Sequence, residues 1–139
     1  MTVHALTGIN SVLIAPQAMT NSATVTANLD TDRGSYAVIR IALASEVNTN
    51  AIGPTLSLLH SDDTVVTNFA TVVADVTAKD ITSAAAHVYA VDLRGKKRYL
   101  RLSVTTETTT NDNVTVSAVA SVERQTIGPL AASGADTIV

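Results

Sequence analysis

The sequence predicts an all-β protein, an antiparallel β-sandwich of jelly-roll type with extended termini. Apolar and polar residues alternate with a period of two in segment after segment, which is the pattern of half-buried strands. Turn-forming residues separate these segments at short spacing, and the abundant Val and Thr suit a pleated sheet. A chain of 139 residues has the length of one domain. We therefore predict an N-terminal arm or first-strand region at 1–22, a sandwich domain at 23–124 and an extended C-terminal tail at 125–139.

Each predicted strand rests on its own alternation. In chain order, the core-facing positions are Val25, Ala27 and Leu29; Ile39, Ile41 and Leu43; Leu56, Leu58 and His60; Tyr89, Val91 and Leu93; Leu100, Leu102 and Val104; and Val114, Val116, Ala118, Ala120 and Val122. The turn signals are Asp32-Arg33-Gly34-Ser35, Asn48-Thr49-Asn50, Gly53-Pro54, Ser61-Asp62-Asp63, Arg94-Gly95 and Asn111-Asp112-Asn113. Short strands with regular turns indicate a sandwich or jelly roll.

The segment 68–86 is ambiguous. Phe69, Val72, Val73 and Val76 have spacings compatible with a helical turn, and the alanines at 84–86 favour helix. The density of Thr and Val nevertheless favours strand and loop, which is our prediction for this segment.

Composition excludes several classes of protein. The net charge is −3, and a nucleic-acid binder needs a broad basic surface that this chain lacks. The absence of cysteine excludes disulfides, thiolate metal sites and a cysteine nucleophile. The uncharged stretch before Asp30 contains polar interruptions and has no basic region before it, so we expect neither a signal peptide nor a membrane span. We expect a soluble, leaderless protein.

No catalytic or cofactor motif is evident. His4, His60 and His87 are scattered without the spacing of a metal site, and the pair at 62–63 is typical of a turn cap. The glycines are too far apart for a phosphate loop, and no Ser or Thr has a base nearby that would activate it. We therefore predict no enzyme, no cofactor and no metal.

Aromatic residues make up only 3% of the chain, which argues against a sugar-binding surface of exposed rings. We expect Tyr36, Tyr89 and Tyr99 to pack in strands with their hydroxyls at the rim. A core of aliphatic and small side chains gains less from burial than one with rings, so the monomer should be marginally stable and reinforced by association.

The most distinctive local feature is a basic turn. Five of the nine Lys and Arg residues lie between Arg94 and Arg101. One interpretation is that they keep a hairpin soluble and protect a sheet edge from aggregation. The other is that they bind carboxylates of a larger partner, with Arg101 facing outward to extend the patch. The contact candidates are Arg94, Lys96, Lys97, Arg98 and Arg101.

The C-terminal segment 125–139 is apolar and rich in small residues, with Asp136 as its only charge. Disordered tails are usually polar and charged. The segment is therefore either a frayed terminus or an arm that orders against a neighbouring subunit. Its contact candidates are Ile127, Pro129, Leu130, Ile138 and Val139.

A longer pattern resembles a known family. The run Asp92-Leu93-Arg94-Gly95-Lys96-Lys97-Arg98-Tyr99-Leu100-Arg101 follows a strand ending Leu59-His60-Ser61-Asp62-Asp63 and precedes one ending Ser121-Val122-Glu123-Arg124. It resembles small structural proteins of tailed bacteriophages, over roughly 36–124. In that family an aspartate, a small turn, a Lys-Arg-Tyr and a further Arg recur after a strand that ends in Ser-Asp-Asp.

The resemblance implies a jelly-roll cement, or head decoration, protein. Such a protein binds the outer surface of the icosahedral phage head and bridges neighbouring subunits of the major capsid protein, through many modest contacts. It implies no catalytic residue. The expected partners are the major capsid protein and a second copy of the chain, as a homodimer rather than a trimer, with no nucleic acid and no membrane.

The expected location is the virion, after synthesis in the host cytoplasm. Two alternatives stay open. One is a minor phage tail, fibre or head-completion protein, which would be present in few copies per particle. The other is a host-surface carbohydrate-binding module, which would bind cells or glycans saturably.

Overall fold

The computed structural model describes residues 9–20, 22–31, 34–47, 54–77, 85–106, 113–123 and 137–138. In these ranges the strands are β1 (Ile9–Met19), β2 (Thr24–Asp30), β3 (Tyr36–Val47), β4 (Thr55–Ser61), β5 (Ala70–Thr77), β6 (Ala85–Asp92), β7 (Tyr99–Thr105), β8 (Asn113–Glu123) and β9 (Thr137–Ile138). A short 3₁₀ helix, Val66–Asn68, lies between β4 and β5.

The strands form two sheets. One has the order β1-β8-β3-β6-β9 and the other has the order β2-β7-β4-β5. Pairing is antiparallel except for the two-residue strand β9, which runs parallel to β6. The predicted antiparallel β-sandwich of jelly-roll type is therefore confirmed.

The core lies between the two sheets and follows the predicted alternation. Ile39, Ile41, Leu56 and Leu58 are fully buried, and the outward-facing Arg40 between the first two is exposed. Along β6, β7 and β8, every core-facing residue from Tyr89 to Val122 named above is buried, and so are Ala90 and Arg101 on the opposite faces of β6 and β7. In the segment 68–86, the described residues agree with the prediction of strand and loop, because residues 70–77 form β5 and residues 85–86 begin β6.

Strand β1 lacks a simple alternation because it contains two bulges. Its register with β8 shifts between Val12 and Ile14 and again between Ile14 and Gln17, and Pro16 lies in the second shift. Proline has no N–H to donate to a ladder and is tolerated at bulges and on edge strands. β1 is an edge strand, so both conditions are met. Residues 9–19 thus pair along β8 as a strand of the sheet.

Two predictions about β6 are wrong. The basic turn is not the turn of a hairpin, because β6 pairs with β3 and β9 whereas β7 pairs with β2 and β4, so the turn crosses between sheets. The hydroxyl of Tyr89 is not at the rim, because this residue lies in mid-strand opposite Ile39 and faces the core. In the described structure that hydroxyl has no hydrogen-bond partner, and burial raises the pKa of Tyr89 to about 12.

Candidate functional site: the charged loop end of the sandwich

Three connections meet at one end of the sandwich. In the four-stranded sheet, Tyr99 at the start of β7 lies in register with both Asp30 and Ser61, which end β2 and β4. In the five-stranded sheet, Asp92 at the end of β6 pairs with Tyr36 at the start of β3. The connections that follow these strand ends must therefore lie together. We call this region, made of residues 31, 34–35, 61–69 and 92–99, the loop end.

Backbone hydrogen bonds fix the basic turn to the neighbouring connection. The N–H of Leu93 donates to the carbonyl oxygen of Ser35 at 3.0 Å, and the N–H of Lys96 donates to the carbonyl oxygen of Leu93 at 3.1 Å. Gly95 has a φ of +78°, which a residue without Cβ adopts with little strain. Ser35 also donates to the carbonyl oxygen of Glu123 at 2.8 Å. The turn therefore has a defined backbone.

The first cation of the turn is held by the carboxylate that precedes it. Asp92 accepts the backbone N–H of Arg94 at 3.0 Å and the Nε of the same residue at 2.9 and 3.0 Å, and Arg94 Nη2 completes the ion pair. These hydrogen bonds lower the pKa of Asp92 to about 2 and raise the pKa of Arg94. Arg94 is thus folded back onto its own strand end.

Two further cations are paired across the loop end. Arg98 binds both carboxylate oxygens of Asp30, with Nε at 3.0 Å and Nη2 at 2.7 Å, in the fork geometry that arginine favours. Lys97 places its Nζ 3.2 Å from Asp62 Oδ2. Its backbone N–H donates to Nδ1 of His60 at 3.2 Å. Both ion pairs join the turn to the four-stranded sheet.

The imidazole of His60 is tuned by this environment. Its pKa is lowered, first by burial and then by the positive charges of Lys97 and Lys96. A neutral imidazole can accept at Nδ1, so the lowered pKa agrees with the hydrogen bond from the turn. His60 is therefore a structural histidine that accepts a backbone hydrogen bond from the basic turn.

Lys96 is the exception among the four cations of the turn. It is half-buried, and in the described part of the chain it has no ion pair. The expectation of a concentrated positive edge therefore needs correction, because Arg94, Lys97 and Arg98 each lie against a carboxylate. Asp92 is a sequence neighbour of the turn, but Asp30 ends β2 and Asp62 directly follows β4, so the approach of these two carboxylates could not be read from the sequence.

The expectation that Arg101 extends an exposed patch is also wrong. Its alternation does place it on the outer face of the four-stranded sheet, but it is only 8% exposed. The guanidinium carbon lies 3.8 Å from the centre of the Phe69 ring, and Nε donates to Asn28 Oδ1 at 2.8 Å. Arg101 is therefore part of the framework beneath the loop end and is not available to a partner.

The connection between β4 and β5 is organised by Asp63, as the prediction of a turn cap requires. Its Oδ1 accepts the N–H of Val65 at 2.9 Å, and its Oδ2 accepts the side-chain amide of Asn68 at 2.8 Å. These hydrogen bonds lower the pKa of Asp63, the one from Asn68 most. Val65 and Val66 follow this cap and are exposed, by 53% and 72%.

Sequence reasoning missed this exposed pair. The available signal was that two adjacent β-branched residues follow a turn, since an alternating strand can bury only one of two neighbours.

Of the tyrosines predicted at the rim, Tyr36 does lie there and donates its hydroxyl to Glu123 Oε2 at 2.9 Å. Tyr99 is half-buried at the start of β7, with the guanidinium carbon of Arg98 5.1 Å from its ring centre.

The other predicted contact residues lie in the C-terminal tail. Ile138 is in β9, whereas Ile127, Pro129, Leu130 and Val139 lie outside the described residues. Among the described residues, no three of His, Asp and Glu are grouped closely enough to hold a metal ion. The same ranges contain no helix with the length and hydropathy needed to cross a membrane.

Two solved structures have a similar fold. A structure of infectious bursal disease virus Gx strain matches with a TM-score of 0.55 and 11% identity, over 92% of this chain and 34% of that chain. The VP2 subviral particle of infectious bursal disease virus matches with a TM-score of 0.52 and 11% identity, over 88% of this chain and 33% of that chain. No protein-family model matches the chain, and no curated protein matches it. The chain spans about a third of the length of the two matched chains, and at this identity it shares their fold.

Proposed function

We propose that the chain is a structural protein of a virus particle, and that it is a cement, or decoration, protein of a tailed-phage head. The observation that carries the particle role is the fold similarity, over 88% of the chain, to the VP2 subviral particle of infectious bursal disease virus. The assignment to a phage head is supported by the sequence pattern from Asp92 to Arg101. In this proposal the protein binds the outer surface of the head and bridges subunits of the major capsid protein.

The loop end supplies the contact surface in this proposal. Loops on a rigid scaffold commonly carry binding residues, and this turn loses little freedom on binding because its backbone is already fixed. Lys96 is the cation best placed for an acidic capsid surface, since it has no ion pair in the described residues. Arg94, Lys97 and Arg98 would have to exchange their own carboxylates for those of a partner.

The tail supplies the second contact. Its candidates remain Ile127, Pro129, Leu130 and Val139, which would order against a neighbouring subunit, and Ile138, which pairs with Ala90 of its own chain and would contact the neighbour from that sheet edge. Each contact would be modest, and stabilisation of the shell would come from many copies that each bridge two subunits. A homodimer is the expected oligomer, because a closed twofold interface is the commonest arrangement among soluble oligomers.

Binding to heads that lack the protein tests the proposal. Purified protein is added to such heads at increasing concentration, and the bound copies per head and the temperature of DNA release are measured. We expect saturable binding that raises the release temperature, with weaker binding at high salt. Heads that bind no protein, or that bind it without a change in release temperature, would contradict the cement function.

A further inference from the structure

The large apolar side chains that are exposed in the described part of the chain fall into two pairs. Val65 and Val66 are adjacent in the loop end. Val12 and Val119, which are 67% and 48% exposed, face each other directly in the register of β1 and β8. Scattered exposed apolar residues need no explanation, but grouped ones indicate an interaction surface. Each pair is therefore a candidate interaction surface.

The first pair forms a projection, which we call the knob. Val65 and Val66 stand at the start of the 3₁₀ helix, and Asp63 fixes the backbone there through the bond from the N–H of Val65. The side chain of Asn68 closes the same turn onto Asp63. A rigid apolar projection gains more from binding than a flexible one, because less conformational freedom is lost.

The second pair lines a shallow groove on the outer face of the five-stranded sheet. The groove lies over β1, β8 and β3, around Val12, Val119 and Arg40, and has a volume of about 270 Å³. This is slightly below the range of roughly 300–1,000 Å³ that is typical of small-molecule pockets. The groove is open, so its shape suits two short side chains better than an enclosed ligand.

The two surfaces also have complementary charge. Arg40 is exposed in the groove and has no ion pair among the described residues. Asp62 lies three residues before the knob, and its side chain is 77% exposed although it contacts Lys97. A carboxylate beside an apolar knob thus matches a cation beside an apolar groove.

We propose that the knob of one copy docks in the groove of a second copy, with Asp62 facing Arg40. The knob belongs to a connection of the four-stranded sheet and the groove to the outer face of the other sheet, so the contact joins two different surfaces. If each of two copies places its knob in the groove of the other, the two contacts close a dimer. If each copy binds a different neighbour, the contacts form a ring or a row. This contact between copies does not depend on the function proposed above.

Complementation between two blocked variants tests the contact. Val66→Glu blocks the knob, and Val119→Glu blocks the groove and neutralises Arg40. Thr26→Glu, at an exposed position on the outer face of the four-stranded sheet, is the control with the same charge change. Sedimentation velocity is measured over a concentration series for each protein alone and for the mixture of the two blocked variants. Thermal unfolding verifies that each variant is folded, and Val12→Glu replaces Val119→Glu if that variant is not.

The expected result is association of the wild type and of Thr26→Glu that increases with concentration. Each blocked variant alone should associate at least tenfold more weakly, and the mixture should regain association, because an intact groove meets an intact knob. A wild type that stays monomeric at every concentration would overturn the proposal. So would blocked variants that associate like the control, or a mixture that does not recover. In the last case the surfaces affect association without binding each other, as when another segment of the chain covers the groove.

Discussion

The guanidinium of Arg101 stacks on the ring of Phe69, with 3.8 Å between the guanidinium carbon and the ring centre. The side-chain oxygen of Asn28 accepts a hydrogen bond from Nε of Arg101 at 2.8 Å. Arg101 is in β7, Asn28 is in β2, and Phe69 directly precedes β5, so one buried cation joins three parts of the four-stranded sheet.

We expect Arg101→Ala to lower the free energy of unfolding by on the order of 2 kcal/mol, because a desolvated cation–π contact and a charged hydrogen bond are both lost. Arg101→Lys should recover little of this loss, since lysine lacks the planar guanidinium. Chemical denaturation measures the effect, and Asn28→Ala is the control that removes the hydrogen bond alone. A Lys variant as stable as the wild type would show that charge alone is sufficient.

Gly34 is expected to tolerate no side chain. A Cβ at this position would overlap Val122 Cγ1 and lie 2.9 Å from Leu93 Cδ1, at the edge of the packed core. Gly34→Ala should therefore destabilise the fold by about 1–3 kcal/mol, as other overpacking substitutions do. Gly95→Asn is the matched control, because Gly95 has open space around it and asparagine tolerates its positive φ. Equal stability of Gly34→Ala and wild type in thermal unfolding would disprove the steric account.

Acid sensitivity should depend on Asp92. Its pKa is about 2 in the folded protein against an ordinary value of 3.8, so the unfolded chain takes up the proton first as the pH falls. The stability that Asp92 contributes is complete well above pH 3.8 and is lost as the pH falls through 3.8 toward 2. We expect Asp92→Asn to be less stable at neutral pH and to lose less stability than the wild type between pH 4 and 2.

Thermal unfolding across this pH range measures the difference, with Asp62→Asn as the control for removal of one carboxylate from the loop end. An unchanged acid dependence in Asp92→Asn would place the acid sensitivity elsewhere.

His60 should give a second, separate pH dependence. Its pKa is lowered from 6.5 in the folded protein, so below pH 6.5 the unfolded chain binds a proton that the folded chain resists. Stability should therefore fall as the pH decreases through 6.5 toward the folded value. His60→Asn keeps an acceptor for the N–H of Lys97 and should remove this part of the dependence. Titration of the imidazole by NMR checks the direction directly, and a midpoint above 6.5 would refute it.

Charge reversal in the basic turn should distinguish a residue that contacts the partner from one that stabilises the fold. Lys96→Glu should weaken binding to phage heads several-fold and reduce its salt dependence, because a partner-facing charge mainly affects electrostatic association. It should change thermal stability only slightly, because Lys96 has no ion pair among the described residues. Lys97→Glu has the same charge change one residue away, but it breaks the ion pair with Asp62 and should cost up to about 1 kcal/mol of stability. Equal binding losses in the two variants would argue against a specific role for Lys96.

Local patterning predicted the parts of this fold that depend on one strand at a time. Alternation identified the buried faces of β3, β6, β7 and β8, because burial of one strand face has a period of two in the sequence. Alternation does not reveal which strands pair, so the prediction of a hairpin at the turn after β6 is wrong. It also could not follow β1, where Pro16 and two extra residues interrupt the period.

The candidate site was only partly predictable for the same reason. The cations at 94 and 96–98 are clustered in the sequence and are evident there, but Asp30 and Asp62 reach them only through the pairing of the strands. Arg101 occupies an outward position in the alternation and is nevertheless buried, because Phe69 comes from a distant connection. Charge pairing and burial by neighbouring loops are tertiary properties, which local patterns do not encode.

The most direct test of the proposed function is the copy number of this protein in purified phage particles. Quantitative mass spectrometry against the major capsid protein gives the ratio. The cement function predicts a ratio near stoichiometric with the capsid sites, because stabilisation by avidity requires occupancy over the whole shell. A few copies per particle, or none, would contradict it.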